Sequence, residues 1–357
     1  MRACDASELL LDPHFLLYKV DLAGGRLIFL PTTHRLIEQA SFLDGRTPIA
    51  AGPPVACSLG DALASVGDVE TGPDRFIFHV SFCGSTRLAR LIDRPGKVLA
   101  LREPNVLVGL ADWKAALDRQ SAEDPRLVPL VRLACASLRA RWQANEAVVV
   151  KPSNWVNNLL PELCRSASQM RPLFVVSSRR SFLRAVFRGG RDRLAFIAHA
   201  AAHLASAHSS HQALLNAAVR AASEPLGQAA HIAAFLHWLQ LRQFRCAMAA
   251  GGWRSDRVVT FDRIEQAPGA AAADASGALG LDLSPEELVA AVTRNSGRNA
   301  KQPDAAYSPE ERFEADRKID RLQGARIEAA LAWARDLLPD DQDFAMVGEA
   351  VAERRTG

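Results

Sequence analysis

The sequence predicts a three-layer α/β/α protein built on a central parallel sheet, with extra helices. Three observations predict it. Short apolar runs alternate with helical stretches from Asp74 onward. The runs are almost continuously apolar, as expected of strands covered on both faces. One of them, Phe76–Ser81, passes through the small-residue turn Ser81-Phe82-Cys83-Gly84-Ser85-Thr86 straight into a helical pattern.

Residues 1–70 are expected to form an N-terminal appendage that packs on the main domain. Within it, Arg26–Pro31 reads as a strand after the turn signal Gly24-Gly25, and Thr33 as the cap of a helix from His34 to Phe42. Ala51-Gly52-Pro53-Pro54 reads as a connector. The main domain is expected over 71–357. Its strands are Phe76–Ser81, Lys97–Arg102, Ala147–Lys151, Leu173–Ser178 and Arg257–Asp262, with helices at Pro125–Gln143 and Val156–Ser168. A helical insertion, about 182–250, is alanine-rich and includes a helix near Ala229–Gly251. The Ala/Gly-rich stretch Pro268–Gly280 reads equally as helix or loop. Ser284-Pro285-Glu286-Glu287 is a helix start with a capping box, and Ser308-Pro309-Glu310-Glu311 repeats it. The second opens a charged C-terminal helix, about 308–338.

Composition excludes several classes. A chain of 357 residues with 48% hydrophobic residues is not mainly disordered. A net charge of +3 gives no global attraction for nucleic acid, so an anion site has to be local. The six cysteines show no C-x-x-C spacing, which suits a reducing, cytoplasmic setting and opposes structural zinc. The N-terminus carries early acids and does not read as a signal peptide. No uncharged apolar run reaches about 18 residues, so no membrane span is expected.

The chemistry gathers at strand ends. A loop that opens a helix after a buried strand presents free N–H groups and the positive end of the helix dipole. Ser85 and Thr86 add hydroxyl donors, Arg87 and Arg90 positive charge, and Leu88, Leu91 and Ile92 form the buried helix face. The expected ligand is a phosphorylated or sulfated nucleotide. The loop lacks the lysine of G-x-x-x-x-G-K-[ST], which counts against ATP or GTP hydrolysis. Glu103 follows the next strand and Lys151 closes the one after. At the carboxyl edge of a parallel sheet, such a carboxylate could take a proton and such an ammonium could stabilise developing charge. The plainer alternatives are that Glu103 pairs with Arg102 and that Lys151 is solvated. His199, His203, His208 and His211 lack the H-E-x-x-H pattern, and no metal is expected. Cys83 reads as a small loop residue rather than a nucleophile.

The order of these segments resembles a divergent, bacterial-type member of the sulfotransferases. Ser81-Phe82-Cys83-Gly84-Ser85-Thr86 is similar to their P-R-S-G-T-T loop, and Arg102-Glu103-Pro104 to the site of their glutamate base. Val150-Lys151-Pro152-Ser153-Asn154 resembles D-K-T-P-x-N. Leu173 to Phe182 resembles the strand before R-x-P-R-D, Val258 to Ile264 resembles R-Y-E-D-L, and Asn299-Ala300-Lys301 resembles Y-A-K. The likeness runs from Arg75 to Tyr307 in the same order. It implies a P-loop NTPase-like fold and 3′-phosphoadenosine-5′-phosphosulfate (PAPS) as co-substrate, with a small-molecule or peptide acceptor. It implies that Ser81, Phe82, Cys83, Gly84, Ser85, Thr86 and Arg87 hold the donor, that Glu103 is the base, and that Lys151 neutralises the sulfuryl group. The family's 3′-phosphate clamp falls on Ser177 and Ala185, which lack its residue types. Ser178, Arg179, Arg180 and Arg184 stand nearby, and Lys301 lies in the late element. Two alternatives are an ATP-dependent phosphotransferase and a non-catalytic nucleotide- or partner-binding protein.

Overall fold

The computed structural model describes residues 6–65, 74–166, 169–295, 297, 300 and 308–338. Strands β1 (Phe15–Asp21), β2 (Arg26–Pro31) and β3 (Val55–Ser58) form an antiparallel sheet. Strands β4 (Asp74–His79), β5 (Val98–Arg102), β6 (Ala147–Lys151), β7 (Met170–Val176) and β8 (Val258–Thr260) form the five-stranded central sheet. All its pairings are parallel, and its order is β5-β6-β4-β7-β8. Helices flank it in an α/β/α arrangement, and β4 lies at its centre.

The apolar runs explain that placement. In β4, Phe76, Ile77 and Phe78 are each at most 1% exposed. Phe76 and Phe78, two apart and so on one face, stack at 5.4 Å, and Phe78 meets Phe174 of β7 at 5.7 Å. A second core forms where Phe182, Phe187, Leu204, Phe235 and Trp238 pack with Ile327, Ala330 and Ala334 of the helix Pro309–Leu337.

The elements differ from expectation mainly at their ends. The strand expected to reach Ser81 stops at His79, because Ser81 and Phe82 leave β space with φ of 60° and 52°. The strand expected over Arg257–Asp262 contains Val258–Thr260 only, since Thr260 caps a helix from Phe261 by accepting the Arg263 N–H at 3.2 Å. The helix after Thr33 ends at Gln39, not Phe42. The helix expected over Val156–Ser168 divides into a 3₁₀ segment, Asn154–Leu159, and a helix, Leu160–Ser166. The stretch after Pro268 is a helix, Pro268–Leu279, closed by Gly280 in the left-handed region. The capping box at Ser284 is formed: Glu287 N–H donates to Ser284 Oγ at 3.3 Å, and Ser284 N–H to Glu287 Oε2 at 2.8 Å.

The N-terminal segment is fastened to the free edge of β5. Leu43 N–H donates to the Arg102 carbonyl at 2.7 Å, and Asn105 N–H to the Leu43 carbonyl at 3.2 Å. Arg102 is 1% exposed and grips the end of the helix His34–Gln39. Its guanidinium donates to the carbonyls of Glu38 and Ala40 at 2.9 and 2.7 Å, and to Asp93 Oδ2 at 2.7 Å. A cation at a helix carboxyl end meets both free carbonyls and the negative end of the dipole. Arg102 is therefore committed away from Glu103. Glu103, the first residue after β5, turns away through a left-handed conformation, φ 58°, so these sequence neighbours do not pair.

Candidate active site

The carboxyl ends of β5, β6 and β4 lie side by side. Glu103 follows β5, Lys151 closes β6, and the loop 81–86 follows β4. All three line one cleft of about 650 Å³. That is the edge at which open parallel sheets hold ligands, and the volume suits a nucleotide-sized molecule.

His79 anchors the loop from below. Its Nδ1 accepts the Ser81 N–H at 3.1 Å, and its Nε2 donates to the Pro152 carbonyl at 3.0 Å, which requires the Nε2–H tautomer. The ring thus ties the end of β4 to the end of β6. Behind it, Asn157 Nδ2 donates to the His79 carbonyl at 3.3 Å, and Gln240 Oε1 accepts from Asn154 at 3.1 Å. This buried support holds Ser81 and Phe82 in a conformation that costs about 1–2 kcal/mol per non-glycine residue. Gly84, at φ 77°, turns the chain into the helix Ser85–Ile92. A Cβ there would lie 3.3 Å from Phe261. The first N–H groups of that helix have no partners within it, and Ser85, Thr86 and Arg87 line the cleft. Cys83 is fully buried and donates its S–H to the Val175 carbonyl at 3.3 Å. Burial pushes its thiol up, so it stays protonated.

Glu103 also adopts a left-handed conformation, φ 58°, and its N–H donates to the Lys151 carbonyl at 2.7 Å. The turn brings its carboxylate over the lysine. Lys151 Nζ donates to Oε1 at 2.5 Å, and Arg46 Nη2 donates to Oε2 at 2.7 Å. Arg46 comes from the N-terminal segment, pairs with Asp44, and lies 4.0 Å over the Phe42 ring.

Further cations line the same cleft. Arg87 pairs with Glu265 at 2.7 Å, and Arg312 reaches the other oxygen of Glu265 at 3.3 Å. Arg312 also lies 3.9 Å over the Phe261 ring. Arg188 pairs with Asp316, and Arg193 lies 4.4 Å over the Phe82 ring. Phe196 and Trp155 continue an aromatic wall, 6.3 Å apart. Trp155 is held by His203, stacked at 4.0 Å, and by Asp112, which accepts its indole N–H at 2.6 Å. Burial pushes His203 down to about 4, and the neutral ring bonds the Trp155 carbonyl at 3.0 Å.

Ser81, Phe82, Cys83, Gly84, Ser85, Thr86, Arg87, Glu103 and Lys151 are therefore brought together on one cleft. Ser178, Arg179, Arg180 and Arg184 are not among its lining residues. Ser178 caps the helix Arg179–Arg188 by accepting the Ser181 N–H at 3.2 Å. Arg179 is buried at 8% exposure. Arg180 forks onto Glu328, and Arg184 onto Asp320 at 2.6 and 2.8 Å. The physical reason is spacing: 180 and 184 share one helix face and meet carboxylates of the helix Pro309–Leu337, while Arg188, one turn further on, pairs with Asp316 of that helix and also reaches the cleft. Lys301 lies outside the described residues. Among the described residues no group of three or more His, Cys, Asp or Glu side chains gathers in a metal-binding arrangement.

Sequence reasoning missed Arg46, Trp155, Arg188, Arg193 and Arg312. Arg188 was signalled by the four-residue spacing after Arg180 and Arg184. Arg312 stands in the first turn of the helix that Ser308 announces. Nothing local to Asp44-Gly45-Arg46 marks it as part of a site. In comparisons with known proteins, the chain matches no family model and no curated protein. Fold and site together define a class: an α/β protein with a helix-start loop beside a carboxylate–ammonium pair.

Proposed function

We propose that the chain is a sulfotransferase-like enzyme that moves a sulfuryl group from PAPS to an acceptor hydroxyl or amine. One observation carries this reading: Glu103 and Lys151 stand on the strand ends next to the anion loop, in one cleft with it. The helix-start N–H groups with Ser85 and Thr86 suit the 5′-phosphosulfate. Arg188, Arg193 and Arg312, rather than Arg180 and Arg184, are placed to meet a second phosphate. Phe261 and the Phe82–Phe196 wall offer ring faces to the base and the acceptor.

The chain's own residues divide the chemistry. Glu103 takes the acceptor proton as the acceptor O–S or N–S bond forms. The bridging S–O bond of the donor breaks, and its electron pair leaves with the nucleotide phosphate. Lys151 stabilises charge on the sulfuryl and leaving oxygens. Calorimetry with adenosine 3′,5′-bisphosphate (PAP), PAPS and ATP, with and without magnesium, tests the donor; a hydroxyl and amine screen with labelled PAPS tests transfer. Tight PAP binding without magnesium supports the proposal. Tight ATP binding that needs magnesium would replace it with phosphoryl transfer. A second reading, nucleotide binding without transfer, is favoured by one observation: both Glu103 oxygens already accept from cations. PAP binding with no transfer to any acceptor would support that reading.

A further inference from the structure

We propose that Arg46 is a positioning residue for the Glu103 base, so that the N-terminal segment is part of the catalytic apparatus; this rests on the sulfuryl-transfer reading. The segment's path is fixed by backbone bonds. Arg102 grips the carbonyl end of the helix His34–Gln39, and Leu43 exchanges hydrogen bonds with the Arg102 carbonyl and the Asn105 N–H. Gly45, at φ 92°, then turns the chain against Tyr18, whose hydroxyl would lie 2.6 Å from a Cβ placed there. This turn delivers Arg46 to the mouth of the cleft.

The guanidinium is oriented before any ligand arrives. Its Nε donates to Asp44 Oδ2 at 2.6 Å, its plane lies 4.0 Å over Phe42, and Nη2 donates to Glu103 Oε2 at 2.7 Å. An exposed arginine–carboxylate pair is ordinarily worth little, because ordering two long side chains offsets the attraction. Here Asp44 and Phe42 have already ordered one partner. Glu103 needs such a hold. Its backbone is left-handed and precedes Pro104, so no regular strand geometry aims its carboxylate.

The two cations then have separate tasks. Lys151 sits beside the anion loop and can exchange Oε1 for a sulfuryl oxygen, since an ammonium is a point charge with rotatable donors. Arg46 keeps Oε2 and holds the carboxylate plane. Oε1, vacated by Lys151, accepts the proton of the acceptor hydroxyl as the O–S bond forms. The donor's bridging S–O bond breaks, and its electron pair stays on the nucleotide phosphate.

The test compares wild type, Arg46→Ala and Arg46→Lys in kcat, in KM for donor and acceptor, and in PAP affinity. Arg46→Ala is expected to lower kcat about tenfold to a hundredfold, the scale of a misplaced catalytic group. PAP affinity should stay within about twofold, as for a change that leaves the donor's contacts intact. Added guanidinium should recover part of the loss, and Arg46→Lys should retain charge and part of the rate without the two-partner fork. An unchanged kcat, or a loss of PAP affinity equal to the loss of kcat, would overturn the proposal. So would a loss of rate that neither lysine nor guanidinium recovers, which marks a folding defect. A wild type that binds PAP yet transfers to no acceptor removes the sulfuryl-transfer reading and Arg46's role with it. An active wild type with an indifferent Arg46→Ala removes the role of Arg46 alone.

Discussion

The Lys151 ammonium lies 2.5 Å from Glu103 Oε1, and the two partners are unequally covered: the lysine side chain is 1% exposed and the glutamate 13%. The charge deepest in the protein is thus the cation. Its nearest compensation is one carboxylate, with the Phe42 ring face 5.9 Å away. A buried ion pair adds little net stability over an apolar replacement, but breaking it strands a charge.

Glu103→Gln is therefore expected to do two things. It should lower turnover by about 10²–10⁴, the usual contribution of a general base. It should also lower stability by about 3 kcal/mol, because Lys151 loses its counter-charge. The double variant Glu103→Gln/Lys151→Met should recover the stability and not the turnover. Urea unfolding beside turnover measures both. A stability loss with unimpaired turnover would leave Glu103 a structural partner of Lys151.

The nucleotide side gives a second expectation. Arg312 and Arg193 line the cleft, whereas Arg184 is spent on Asp320. A charge-assisted bond to phosphate is worth about 1.5–3 kcal/mol, so Arg312→Ala or Arg193→Ala should weaken PAP about tenfold or more. AMP, which lacks the second phosphate, should lose less. Arg184→Ala should leave the PAP-to-AMP ratio unchanged. Calorimetry on the three variants decides it, and equal losses for PAP and AMP would mean that these arginines do not read the extra phosphate.

The central sheet was legible because period and composition agreed. Fully buried parallel strands must be apolar on both faces, and β4, β6 and β7 are. The Ser284 and Ser308 helix starts were legible because a capping box is a local hydrogen-bond pattern written within four residues. The loop, Glu103 and Lys151 were legible as strand-end polar residues. What stayed hidden is non-local or conformational. No sequence rule announces that Ser81, Phe82 and Glu103 adopt positive φ: the His79 ring that holds Ser81 is itself fixed by the distant Pro152 carbonyl, and Glu103 is held by the Lys151 carbonyl. Arg46 reaches the site because Arg102, 56 residues further along the chain, holds the carboxyl end of the helix His34–Gln39 that precedes it. Arg180 and Arg184 looked available until a helix more than a hundred residues later supplied their carboxylates.

The turn at Gly84 predicts a separable effect. Gly84→Ala forces a side chain into a left-handed position and presses its Cβ on Phe261, at a cost of about 1–2 kcal/mol before any repacking. Moving the turn also moves the helix-start N–H groups, so PAP affinity should fall with stability. Gly25→Ala is the control. It meets the same backbone strain, φ 61°, with nothing within 4 Å, and it is not among the cleft's lining residues. It should lower the melting temperature and spare PAP binding. Equal PAP affinity in both variants would show that the loop does not hold the nucleotide.

Buried histidines, His203 and His237 among them, make stability fall on acidification. Burial pushes His203 down to about 4; Asp112 and Asp118 oppose this and Arg119 adds to it. Burial, with Arg179 next, pushes His237 down to about 3, while its Nε2 bonds the Ser177 carbonyl at 2.8 Å. Both rings stay neutral in the folded chain at a pH where the unfolded chain protonates them, near 6.5. The unfolded state then binds more protons, so stability is full above about pH 6.5 and declines as pH falls toward 4 and then 3. For His203 the displacement from 6.5 to about 4 corresponds to about 3 kcal/mol. His203→Gln keeps an N–H for the Trp155 carbonyl and cannot take a proton. Its unfolding free energy, followed by urea titration at a series of pH values, should fall less steeply than wild type between pH 6.5 and 4. The difference in slope should approach one proton. The carboxylates that titrate in this range are common to both proteins and cancel in that difference. Parallel curves would mean that His203 takes up its proton without unfolding and that the Trp155 wall does not depend on a neutral ring.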